Sequence, residues 1–249
     1  MTPESSNPLV PAADGNRFVV SGIDRLLTVQ RPAVLLHLRS IRASRPSASP
    51  DEVIRILERR YLTAVTAGGA LVGASAAIPA IGVATSLALS AVETGGFLEA
   101  SALFAQSVTE VHGIAVEDPD RARTVVMTLI LGNAGRDLIK QLAAQATGVG
   151  AGRNTFWGEL VTKSLPSAAV KHIAHQVKKT FMKRFAVTQS TNALGRALPF
   201  GIGAVVGGSG NHLLGRQIIR SSREAFPPPP PEFIAGAFLP PVRVAPIPQ

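Results

Sequence analysis

The chain has no cysteine, a single tryptophan and a single tyrosine among its 249 residues. Without cysteine there is no disulfide scaffold, no thiolate nucleophile and no zinc site built on sulfur. Aromatic residues are only 5% of the chain while apolar residues are 46%. The apolar content therefore comes mainly from Ala, Val, Leu and Ile, residues that suit closely packed helices. Charge is sparse as well, 16% of residues against the usual quarter for a soluble domain. With a mean hydropathy of +0.25, a membrane is among the surroundings to be expected. The first residues, from Met1 to Pro8, have neither the basic run nor the apolar run of a secretory signal. The expected location is therefore the cytoplasm or the cytoplasmic side of the cell membrane.

Two further absences organise the chain. Acidic residues are missing from 160–223, a stretch that carries Lys163, Lys171, Lys178, Lys179, Lys183, Arg184, Arg196, Arg216, Arg220 and Arg223. These cations exceed the whole formal net charge of +9 and attract anionic headgroups or phosphate backbones without choosing between them. Lys171, Lys178, Lys179, Lys183, Arg184, Arg216, Arg220 and Arg223 are the candidate contacts to an anionic surface. Charges of either sign are missing from 61–92 and from 197–215, both rich in Gly and Ala.

The patterning that remains is helical. Residues 1–16 read as a disordered lead-in, and short helices follow on either side of Pro32. Ser49-Pro50-Asp51-Glu52 predicts a helix start with a capping box: Ser at the cap, Pro at the first position and Glu at the third. Pro79 divides the uncharged run 61–92 into two arms, a helical hairpin or a kinked helix, and the second arm continues to a Gly cap at Gly113. Asp118-Pro119 opens another helix, with a bend expected at 132–135. A Gly-rich loop at 148–152, a short helix with Trp157 and a basic amphipathic helix from Pro166 to about Thr188 complete the pattern. Pro227 to Pro231 starts a Pro-rich extended arm. The expected organisation is a lead-in at 1–16, one all-α domain at 17–226 forming a compact multi-helix bundle, and a Pro-rich tail at 227–249.

Gly69, Gly73 and Ala77 are four residues apart, as are Gly203, Gly207, Asn211 and Gly215. Such spacing makes a shallow groove on one helix face for close approach of another helix, in a bilayer or in a tight soluble pair. With Pro79, these residues are the candidates for helix packing or membrane insertion. Gly201 to Gly207 resembles a loosened dinucleotide loop, but helical residues and not a strand precede it, and no Walker A sequence occurs. His172 and His175 lack an acidic or thiolate companion in their stretch, so no metal or cofactor is expected. The phenylalanines of the basic half fall on apolar faces, which argues against stacking on nucleic acid. Glu93, Glu99 and Glu110 are candidate buried acids, yet no nucleophile and base pair marks a catalytic site.

Three stretches carry a family resemblance: 61–79, the Glu110 to Gly113 helix end followed by Asp118-Pro119-Asp120-Arg121, and Leu198-Pro199 through Gly203, Gly207, Gly208 and Asn211 to Ala225-Phe226. Together they resemble the bacterial EcsC family over residues 50–226. The resemblance implies a helical, membrane-associated protein of transport or envelope context, with no catalytic residues to carry over. Residues and resemblance together point to a non-enzymatic accessory or scaffold whose partner is an anionic membrane surface or a membrane protein. The competing readings are a soluble helical module for an apolar ligand such as a lipid, and an enzyme using the three acids. No signal for an oligomeric state is present.

Overall fold

The computed structural model describes residues 31–75, 83–114, 118–147, 156–195 and 202–233, with Gly22, Arg25, Leu27 and Val116 as isolated positions. The lead-in 1–16, the Gly loop at 148–152, Ala77, Pro79 and the tail from residue 234 lie outside them. Among the described residues there are eight helices and no strand, so the fold is an all-α bundle.

α1 (Arg31–Ser44) has Pro32 in its first turn and buries Val34, Leu38 and Ile41. α2 (Pro50–Ser75) starts with the expected capping box. Ser49 N–H donates to Glu52 Oε2 at 2.8 Å, and Glu52 N–H donates to Ser49 Oγ at 3.3 Å. α3 (Val83–Val111) ends on Gly113 at φ +68°. There Gly113 N–H donates to Glu110 O and Ile114 N–H to Thr109 O, both at 2.9 Å, closing a left-handed cap. The uncharged stretch 61–92 is thus shared by two helices packed side by side. The Tyr61 ring of α2 stacks on Phe104 of α3 with centroids 4.8 Å apart.

α4 (Pro119–Leu131) is capped by Asp118, which accepts from Asp120 N–H and Arg121 N–H. The expected bend falls at Gly132, where φ is +62°, and α5 (Asn133–Thr147) follows. α6 (Trp157–Glu159) is one turn long and runs into a π turn, Leu160–Ser164. A π turn leaves carbonyls poorly served by the regular ladder. Arg121 of α4 compensates by donating to Val161 O and to Leu165 O.

α7 (Ser167–Gly195) extends past Thr188 because no helix breaker precedes Gly195. α8 (Ile202–Ala225) is packed chiefly on α2. Trp157, Val161, Ile173, Val177, Phe181, Ile218 and Phe226 share one core with Leu57, Val65, Leu98 and Val125. Beyond α8 the prolines continue without helical structure to Phe233, whose ring lies 4.7 Å beneath the Arg42 guanidinium of α1. The first residues of the Pro-rich arm are thereby held against the bundle.

Candidate functional site

The site is built on the α2–α8 pair. Buried positions recur every four residues on α2, at Leu57, Tyr61, Val65, Gly69 and Gly73, and on one face of α8, at Gly208, Gly215, Ile218, Ser222 and Ala225, in steps of seven, three, four and three. A Cβ on Gly208 would stand 3.2 Å from the Ala70 Cβ, and one on Gly215 would stand 3.0 Å from Leu62 and Val65 side-chain atoms. Small residues are what bring the two backbones this close. The α8 face in contact is therefore Gly208, Asn211 and Gly215. Gly203 and Gly207 lie in the first turns of the same helix.

Polar side chains lock the register of the pair. Asn211 donates to Val65 O at 3.0 Å and to Glu93 Oε1 of α3 at 2.8 Å, so one amide ties three helices together. Thr66 Oγ1 and His212 Nδ1, the next residue on each helix, are 3.2 Å apart. At the other end Arg223 makes a two-pronged ion pair with Glu58, the Nε to Oε1 arm being 2.7 Å. Arg223, a sequence candidate for an external anion, is thus matched by a carboxylate inside the molecule.

The three candidate acids do not meet. Glu93 serves the Asn211 junction, Glu99 is exposed, and Glu110 is buried and accepts from Arg31 Nε at 2.7 Å. Glu93 and Glu110 are about 25 Å apart along α3 by helical rise. Among the described residues no three His, Cys, Asp or Glu side chains are grouped to hold a metal ion, and His172 and His175 are both exposed on α7.

The apolar surface is uneven. Leu71, Val92 and Leu213 are 72%, 72% and 67% exposed, and Leu214 is also exposed. These four belong to the two uncharged stretches, and Leu36 of α1 is 67% exposed as well. Beside Leu213, the α4–α5 junction, α7 and α8 enclose an open cleft of about 930 Å³. Arg136, Arg184, Arg216 and Arg220 line it, and Glu224 is its one acidic lining residue. Arg136 donates to Glu224 at 3.0 Å and pairs with Asp137 at 3.1 Å. Lys171, Lys179 and Lys183 are exposed along α7, and Lys178 is half-buried.

Arg136 escaped the sequence reading because it lies outside the basic half and reaches the other arginines only through the tertiary fold. Arg31, Glu58 and Arg121 escaped it for the same reason, their partners being 40 or more residues away. No helix among the described residues is long and apolar enough to cross a membrane. Comparison of the chain with protein-family models, with curated proteins and with solved structures finds no match.

Proposed function

We propose that this protein is a non-enzymatic helical accessory or scaffold that docks on the cytoplasmic face of a membrane in a transport or envelope setting, as the EcsC-like residues imply. One observation supports this reading above the others. Four of the five large apolar side chains left in water among the described residues, Leu71, Val92, Leu213 and Leu214 but not Leu36 of α1, lie on the two uncharged stretches, and Leu213 shares a cleft with Arg184, Arg216 and Arg220. Leucine beside arginine matches the two layers of a bilayer surface, acyl chains below and phosphates above. An exposed leucine at the rim of a basic cleft is the kind of apolar surface that marks an interaction site. The absence of a crossing helix among the described residues suits attachment from one side.

The burial of Gly69, Gly73, Gly208 and Gly215 favours the second reading, a soluble module for an apolar ligand, because those grooves are occupied by helix packing. Fractionation of cells producing the full chain separates the two. The expected outcome is a membrane fraction that releases the protein in high salt, where screening removes the headgroup attraction. Retention through both salt and alkaline carbonate would mean that 61–92 or 197–215 is inserted. A protein found wholly in the soluble fraction would overturn the membrane reading in favour of the second.

A further inference from the structure

We infer that the cleft between the α4–α5 junction, α7 and α8 is a binding site for a phosphomonoester. Its lining cations are all arginine: Arg136, Arg184, Arg216 and Arg220, with no lysine among them. The lysines of the same basic half lie elsewhere, Lys163 on the π turn and the others along α7. A guanidinium is a planar fork that grips two phosphate oxygens at once, whereas an ammonium acts as a point charge. Four arginines converging from three elements on one concavity are therefore suited to a compact polyanion more than to a diffusely charged surface.

The charge balance supports this. Glu224 is the only acidic lining residue and is engaged by Arg136, so four guanidinium groups share the cleft wall with a single carboxylate. Asn133 and Ala134 also line it, placing the positive end of the 15-residue α5 on the same wall. The cleft volume of about 930 Å³ exceeds what a bare phosphate fills and leaves room for the group esterified to it. With Leu213 at its edge, the phosphate can belong to a lipid headgroup or to a soluble ester. The choice of a lipid source rests on the membrane reading above; the phosphate chemistry does not.

The test compares phosphatidylcholine vesicles carrying phosphatidic acid, a phosphomonoester, with vesicles carrying phosphatidylserine at matched surface charge. Soluble glycerol 3-phosphate is titrated in parallel by calorimetry. The full chain is expected to bind the phosphatidic acid vesicles about tenfold more tightly, because a terminal phosphate offers the guanidinium forks more oxygens and charge than the phosphodiester of phosphatidylserine does. The Arg216→Lys/Arg220→Lys variant keeps the charge and should lose that preference. Lys179→Gln/Lys183→Gln should weaken binding to both vesicles alike. Circular dichroism establishes that each variant is folded, and both pairs are at exposed positions. If no vesicle binds but glycerol 3-phosphate does, and the arginine variant abolishes it, the cleft stands and the membrane reading fails. Equal binding to both vesicles, or an arginine variant that retains the preference, overturns the cleft assignment while leaving membrane docking intact. No binding to either vesicle or to the soluble ester overturns both.

Discussion

At the scale of single residues, glycines with the same side chain do opposite things. A Cβ on Gly158 would fall 2.8 Å from Ala225 O and 2.7 Å from the Phe226 ring, neither of which can move without shifting α8 and its end. Gly158→Ala is expected to lose about 1–3 kcal/mol through overpacking. Gly96, within α3, has open space around the same position, and Gly96→Ala is expected to gain about 0.5–1 kcal/mol of helix propensity. Urea midpoints of the two variants check both signs. Tyr61 gives a second test. Its hydroxyl is buried beside Ser101 Oγ at 2.9 Å, and Ser101 donates to Phe97 O, so Tyr61 is the donor of the pair. Burial pushes the phenol far above its ordinary value of 10, with the Ser101 contact offsetting part of the rise. The unfolded chain therefore releases this proton first, and stability falls as pH rises beyond about 10. As the chain has one tyrosine, the tyrosinate absorbance should appear together with loss of helix. Ionisation in a protein that remains folded would refute the assignment.

At the scale of elements, the helix starts are set by local chemistry. The Ser49–Glu52 box satisfies two amides that no helical carbonyl can reach. Ser49→Ala is expected to cost about 1 kcal/mol at neutral pH. Hydrogen bonding from the Ser49 backbone, then from its side chain, holds the Glu52 carboxyl below its usual 4.5. The cap therefore contributes above that value and is lost as pH falls through the lowered one. Removing the Ser49 hydroxyl should flatten this acid limb only in part, since the larger bond comes from the backbone. Thermal unfolding between neutral and acid pH reads the difference. These boundaries, like Asp118-Pro119 and the glycines at 113 and 132, were legible in the sequence because a cap is made by residues within one turn of each other.

At the scale of the whole molecule, the bundle is closed by segments distant in sequence. α8 returns to α2 through Asn211 and Arg223, and the prolines beyond it carry Phe233 back to Arg42 of α1. On the way His112 Nε2 comes within 3.1 Å of Pro227 O, and its ring is 5.2 Å from that of Phe226. A proline run reaches across a surface at little further entropic cost, because φ is already fixed. Phe233→Ala in the full chain is expected to lower stability by about 1–2 kcal/mol, as for a partly buried aromatic. An unchanged melting temperature would mean that the strap is idle.

The sequence by itself determined the class of fold, the helix starts at Pro50 and Pro119, the break at Gly132 and the concentration of positive charge after Glu159, because each depends on neighbours along the chain. It also marked Asn211, Gly215 and Gly69 as candidates for helix packing or membrane insertion, since small side chains at four-residue spacing share a face. Only the tertiary structure decided what those features meet. Arg223 pairs from the surface with the buried Glu58, Glu93 was taken up by Asn211, and Glu110 by Arg31. Arg136 joined arginines from the far end of the chain in one cleft. The physical reason is that backbone capping is satisfied within a turn, whereas a side-chain charge is balanced by whatever group the folded chain brings beside it.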